Sequence, residues 1–401
     1  MKIAILTSGI LPVPAVQGGA VETLVDAYLA YNERHRQHDI TVYSVGHPDV
    51  KAHPALKSDV NHYVYIDVSS LKAKIDKQIF RYLLNHYCYY DYTIEYFLQK
   101  AMKQISKQHY DMIVLENRPA YALKMLGRTA APLVYHLHNE NLTPEVPKSY
   151  EIYGAATGII TVSDYIHRRV QAIQPDDTKT VTVYNGIDLS AFSNHGHTER
   201  VQQGLRDTDF VLLFSGRITQ EKGIVQLMEA MRRLKDYPDI KLLVLGSSFY
   251  GGSSNDNDLT RLLRDKAAPL TDRIIFTGFV PYNQMPAYLQ MADVAVVPSV
   301  WDDPFPTTVL EAQAMELPII TTRRGGIPEE VTEDNAILLD TDEHFVDNLA
   351  EAILDLYQHP EKRQQMSQAS LQRSKLFDKE RYARNFFAAL ENILSQRPSN
   401  L

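Results

Sequence analysis

The stretch Ser299–Glu330, SVWDDPFPTTVLEAQAMELPIITTRRGGIPEE, decides how this chain is read. The apolar run before it, Val294–Pro298, predicts a buried strand, and Thr307–Met315 predicts a helix. Asp303 then falls in the loop at the strand's C-terminal end, and Glu311 about one turn into the helix. In an open parallel sheet, ligands bind at that edge. Free N–H groups at the helix start suit a phosphate, and the two carboxylates suit sugar hydroxyls. Without that context, the same acids also read as residues that cap and solvate a helix.

A second loop carries cations. In Phe214-Ser215-Gly216-Arg217-Ile218-Thr219-Gln220-Glu221-Lys222-Gly223-Ile224, a strand ending at Phe214 runs into a glycine turn and then an amphipathic helix, Ile224–Leu234. Arg217 and Lys222 lie between strand end and helix start, where both can meet one anion. A planar guanidinium and a compact ammonium together suit the charge on a departing diphosphate. They also read as plain surface cations, but the helix dipole disfavours positive charge at a helix start.

The Ser299–Glu330 stretch resembles the signature of retaining glycosyltransferases of family 4, which have the two-domain GT-B fold. Their usual pattern is Glu, seven residues, Glu, commonly with Phe-Gly after the first acid. Here the first acid is Asp303, Pro306 stands where the glycine usually falls, and Glu311 matches. The resemblance implies that Glu311 holds the nucleotide ribose and that Asp303, one methylene shorter than glutamate, touches the transferred sugar. It implies that Arg217 and Lys222 hold the donor pyrophosphate. Phe305, Pro306, Thr307 and Thr308 join the implied donor set, with Phe279 and Val280, whose backbone would read a nucleobase edge. Gly325-Gly326-Ile327-Pro328-Glu329 resembles the family's Gly-Gly-x-x-Glu turn. The loop Gly246–Ser254 reads either as a flap over the donor or as a surface loop.

The first half carries weaker motifs. Pro12–Glu22 is a glycine loop leading into a helix, and the paired Gly18 and Gly19 let a backbone approach a ligand. It lacks the G-x-G-x-x-G spacing of a dinucleotide site; the resemblance places it against donor phosphates or acceptor, and a surface turn is the alternative. In Val134-Tyr135-His136-Leu137-His138, strand alternation puts both histidines on one face. His138 matches a family histidine beside the transferred sugar, while His136 reads as packed inside. Two ligands at this spacing do not complete a metal site, and no metal or other cofactor is expected. Asn185-Gly186-Ile187-Asp188 resembles the family's Asn-Gly-x-Asp turn.

Strand-like and helix-like segments alternate twice along the 401 residues, which predicts an α/β protein of two doubly wound, Rossmann-like domains with parallel sheets. The expected boundaries are residues 1–190, a polar linker at 191–207, residues 208–377, and a final helix within 378–401 that crosses back to the first domain. In a GT-B protein the two sheets face a central cleft. Hydrophobic residues make up 44% and the formal net charge is −8, which argues against a general nucleic-acid binder. The single cysteine, Cys88, can form no intramolecular disulfide, and a cytoplasmic setting is expected. The N-terminal MKIAILTSGILPVP reads as a first strand and not a signal peptide.

Residues 71–109 carry seven basic residues (Lys72, Lys74, Lys77, Arg81, Lys100, Lys103, Lys107) against Asp76, Asp91 and Glu95, interleaved with aromatics from Phe80 to Phe97. This pattern reads either as a surface for an anionic membrane or as an ordinary helical hairpin with a solvated basic face. The expected activity is metal-independent, retaining transfer of a hexose-type sugar from a nucleotide diphosphate sugar, UDP-linked by preference, to a glycan or lipid-linked acceptor. In that reading His138, Asp303, Arg217 and Lys222 are catalytic. A nucleotide-sugar 2-epimerase, or a non-catalytic nucleotide-sugar-binding partner, stays open as an alternative.

Overall fold

The computed structural model describes residues 1–84, 88–193, 200–246, 258–270 and 272–396. The chain divides into two compact units, Met1–Tyr184 with Glu380–Leu401, and Asn185–Lys379.

The first unit holds β1 (Lys2–Leu6), β2 (Asp39–Val45), β3 (Asn61–Ile66), β4 (Met112–Glu116), β5 (Leu133–Leu137), β6 (Gly158–Thr161) and β7 (Thr180–Thr182). They form one sheet in the order β3-β2-β1-β4-β5-β6-β7, every neighbouring pair parallel. The second unit holds β8 (Phe210–Ser215), β9 (Ile240–Leu245), β10 (Ile274–Gly278), β11 (Val294–Val297), β12 (Ile319–Thr322) and β13 (Ala336–Leu339), in the order β10-β9-β8-β11-β12-β13, again parallel. Central strands such as MIVLE in β4 and VAVV in β11 are buried along their whole length because helices cover both faces. In each sheet the order reverses at one point, between β1 and β4 and between β8 and β11. Chains leaving those neighbours diverge to opposite faces, and the gap between them is where such sheets take ligands.

The expected alternation of strands and helices appears; the strand expected at Val294–Pro298 is β11, one residue shorter, and β3 is an addition. Its sequence, NHYVYI, opens on two polar residues, draws half of its later positions from tyrosine, and lies at the sheet edge with its middle only partly buried, so no aliphatic run marks it. The last helix, Lys379–Ser395, joins the first unit from Glu380 onward. Its Tyr382, Phe386, Phe387 and Leu390 enter the core with Tyr28, Val114 and Ile160. Phe386 stacks on Tyr28 with centroids 4.3 Å apart.

Candidate active site

In the second unit, the two site loops both leave the reversal point. After β8 the chain turns through Gly216–Gly223 into helix Ile224–Arg233; after β11 it runs through Asp303 into helix Thr307–Ala314. Gly223 has φ 72°, and a Cβ there would collide with the Pro298 carbonyl, so only glycine lets the loops close on each other. The Val300 N–H donates to the Glu221 carbonyl at 2.9 Å and ties them.

That closure brings the Lys222 ammonium into an ion pair with the Asp303 carboxylate. The two side chains are only 20% and 7% exposed. Ser299 Oγ lies 3.4 Å from the same carboxylate oxygen, and the Lys222 ammonium lies 6.0 Å from the Trp301 ring centre. The Gly-Gly turn packs beneath: at Gly325, with φ 56°, a side chain would strike the Asp302–Asp303 backbone. Gly326 N–H donates to the Asp303 carbonyl at 2.8 Å, and Arg324 pairs with Asp302 at 3.1 Å.

Phe305 anchors the acidic loop. Its buried ring meets Phe377 edge-on at 5.7 Å, and its carbonyl accepts from the Asn185 side chain at 3.2 Å. The Asn-Gly-Ile-Asp turn is therefore a brace for this loop. Pro306 caps the helix that follows, with no side-chain cap bond, so Thr307 and Thr308 begin the helix with N–H groups that an anion could take. One turn on, Glu311 is only 4% exposed. Burial pushes its carboxyl up to about 8, and the Thr307 hydroxyl offsets part of that.

Arg217 is exposed on the β8 loop, and Phe279 and Val280 follow β10 at the same C-terminal edge of the sheet. Of the expected flap, residues 247–254 lie outside the described residues. The sequence reading gave no role to Glu330, which is completely buried with no hydrogen-bond partner on either carboxylate oxygen among the described residues. Burial, then Asp303 and Glu329, raise its pKa well above the carboxylate range, against Lys222 and Arg373. A buried acid with a raised pKa thus packs near the ion pair; the sequence signal was a second glutamate directly after the Gly-Gly-x-x-Glu turn.

In the first unit, β4 ends on Glu116, and the parallel register sets it beside His136 of β5. The buried Glu116 carboxylate accepts from the Tyr28 hydroxyl at 2.9 Å and meets His136 Nδ1 and His138 Nε2, each at 3.0 Å. Burial alone would raise its pKa, but the two histidines and their hydrogen bonds outweigh that and hold it well below the usual carboxylate range. Burial first, then His136, pushes His138 down to about 4 against the pull of Glu116, so this ring is neutral near pH 7. Glu116, His136 and His138 also place three potential metal-ligating atoms within 4.8 Å of one another, a third ligand that the histidine spacing alone did not offer. Metal-bound histidines normally donate from the outer nitrogen, yet His136 Nε2 and His138 Nδ1 have no hydrogen-bond partner among the described residues. The arrangement is that of a carboxylate gathering three donors. Glu116 went unnoticed in the sequence, where its signal was a lone acid ending an apolar strand.

Gly19 precedes helix Ala20–His35, and the space beside its α-carbon is filled by the Glu22 carboxylate and Leu11. Gly18 is the member of the pair with nothing within 4 Å of where a side chain would start.

Glu311 gives a pH test. Its carboxyl titrates near 4.5 when unfolded and at about 8 when folded, so between those values the folded state holds the extra proton. The stability this group contributes is complete below pH 4.5 and is lost as pH rises toward 8. Glu311→Gln should flatten part of the fall in melting temperature over that range, leaving what Glu22 and Asp26, both pushed up to about 7 by burial, contribute. An unaltered slope would mean that Glu311 ionises freely in the fold.

Two family descriptions match the chain: Glycosyltransferase Family 4 over residues 18–191 and Glycosyl transferases group 1 over residues 197–373. Spore coat protein SA of Bacillus subtilis is 28% identical over 98% of this chain and 99% of its own length. Lipopolysaccharide 1,2-N-acetylglucosaminetransferase of Salmonella typhimurium is 26% identical over 57% of this chain and 59% of its own. Among solved structures, Anabaena Alr3699/HepE in complex with UDP-glucose superposes with a TM-score of 0.75 at 20% identity, covering 98% of this chain and 100% of that one, a likeness of fold. Two parallel α/β units and these matches make the architecture GT-B, and the chain belongs to glycosyltransferase family 4.

Proposed function

We propose that this glycosyltransferase moves a hexose-type sugar, with retention and without a metal, from a nucleotide diphosphate sugar to a glycan or lipid-linked acceptor in surface polysaccharide assembly. The observation that carries the donor half is the ion pair of Lys222 with Asp303 beside the uncapped start of helix Thr307–Ala314. The ammonium exchanges Asp303 for the diphosphate, and the helix N–H groups and Arg217 add to the positive field that stabilises the leaving group. Those charges stand in for a divalent cation. Glu311 takes the ribose hydroxyls, whose hydrogen bonds recover its burial cost. Asp303, released from Lys222, and His138 orient the sugar, Phe279 and Val280 face the base, and the Gly18–Gly19 loop lies against donor or acceptor. As the family resemblance implies, the acceptor hydroxyl attacks from the leaving-group face and the departing phosphate takes its proton. HepE, seen with UDP-glucose, supports a UDP-sugar as the first donor to try.

On the acceptor side, the structure sorts the basic, aromatic segment into two parts. Tyr96 and Phe97 of helix Tyr92–Ile105 are buried, and Lys100 is paired with Asp76 at 3.3 Å, so these serve the fold. Tyr87 lies outside the described residues. Helix Leu71–Leu84 instead leaves Leu71, Ile75, Ile79, Tyr82 and Leu83 exposed, Leu71 at 76% and Tyr82 at 89%. Helical spacing gathers them on one stripe, with Lys74, Lys77 and Arg81 alongside. An apolar stripe edged with cations suits the surface of an anionic bilayer, and a lipid-linked acceptor would be met there, on the cytoplasmic face. No helix among the described residues is long and apolar enough to cross a membrane.

A thermal-shift panel of UDP, GDP, ADP and their sugar conjugates, with and without EDTA, tests the donor half. One nucleotide should raise the melting temperature regardless of EDTA, and both Lys222→Ala and Glu311→Ala should abolish transfer while the protein stays folded. A folded, fully active double variant would refute the assignment, and an epimerised sugar nucleotide as sole product would replace transfer with 2-epimerisation. For the membrane, the protein should sediment with anionic and not neutral liposomes, and release at raised salt. Ile75→Asp with Ile79→Asp should weaken that binding strongly; no binding to anionic liposomes at any salt would sink the idea.

A further inference from the structure

We infer that Glu116, braced by Tyr28, is a positioning residue that fixes His138 in the Nε2–H tautomer, so that its bare Nδ1 accepts a hydrogen bond from a sugar hydroxyl. The inference rests on the reading that His138 meets the transferred sugar. An ionised carboxylate can only accept. Each ring nitrogen that faces Glu116, Nδ1 of His136 and Nε2 of His138, must therefore carry its proton toward it. In neutral His138 that leaves Nδ1 as a lone pair, and this atom is buried with no donor among the described residues. A buried acceptor without a donor is costly unless a ligand supplies one. The missing partner is an O–H group; a phosphate oxygen, an acceptor itself, would be repelled.

The surrounding groups restrict the ring further. Tyr28 O–H donates to Glu116 at 2.9 Å, filling the carboxylate oxygen that His138 does not use. The Tyr28 ring is itself held by Phe386, and the His136 ring lies 5.0 Å from that same phenylalanine. The residue after Glu116 acts on the backbone: Asn117, at φ 55°, accepts from the His138 N–H at 3.1 Å through its side chain. The segment Glu116-Asn117 thus sets both the backbone position of His138, just past the end of β5, and the proton on its ring. A one-residue change of register would break both contacts.

The test uses the full-length chain labelled with 15N-histidine, with long-range proton–nitrogen correlations reporting each tautomer and His138→Gln assigning the ring. The native chain should show His138 protonated at Nε2 and bare at Nδ1 throughout the neutral range. In Glu116→Gln the tautomers should mix, because an amide both donates and accepts. Its kcat should fall on the order of 10- to 100-fold with little change in KM, as for other carboxylates that orient working histidines. Tyr28→Phe should fall less and keep the tautomer. Should Glu116→Gln not fold, the native spectrum still decides. A proton on Nδ1 of native His138, a Glu116→Gln variant unchanged in tautomer and turnover, or a stoichiometric metal lost in His138→Gln would each overturn the inference. A native chain that holds the Nε2–H form yet transfers no sugar would sink the functional reading while supporting the positioning role.

Discussion

Much of the second unit is arranged around one ion pair, Lys222 with Asp303. A charge that is four-fifths or more buried is tolerated only when paired, so the resting site must hold its cation against its own acid. Gly223 closes the β8 loop onto Pro298, Gly325 fits under the Asp303 backbone, and Phe305 locks against Phe377. Each feature fixes one side of the pair. In the proposed exchange, a diphosphate offers Lys222 more negative charge than one carboxylate does, so donor arrival would take the cation and free the acid together.

The first unit solves a related problem with opposite polarity. There the buried charge is an anion, Glu116, and donors from Tyr28 and two histidines satisfy it. Both units place their charged group at the reversal of strand order, where chains diverge and backbone packing leaves room for side chains. Buried acids elsewhere behave differently. Glu311 and Glu330 carry carboxyls that no ion pair among the described residues neutralises, and burial raises the pKa of both, for Glu330 against the opposing pull of Lys222 and Arg373.

The apolar strands were plain in the sequence because strands covered on both faces read as unbroken aliphatic runs. β3 was not, since an edge strand is covered less and NHYVYI mixes polar residues and tyrosines with only two aliphatics. Asp303, Glu311, Arg217 and Lys222 were legible as types at the right places after strands. Their pairing was not: Lys222 and Asp303 are 81 residues apart, and only the β8–β11 adjacency brings them together. The same holds for Glu116, 22 residues before His138, whose role appears only through the β4–β5 register. The aromatics between Phe80 and Phe97 misled in part, because composition cannot say which ring faces the core; Tyr96 and Phe97 do, while the exposed apolar surface is largely the aliphatic stripe of helix Leu71–Leu84.

The exchange of Lys222 between Asp303 and a diphosphate is tested most directly by calorimetric titration of UDP into the native protein and into Asp303→Asn. Without the competing carboxylate, Lys222 is available from the start, so the account predicts tighter UDP binding in the variant together with slower sugar transfer. UDP binding that is unchanged or weaker in Asp303→Asn would contradict it.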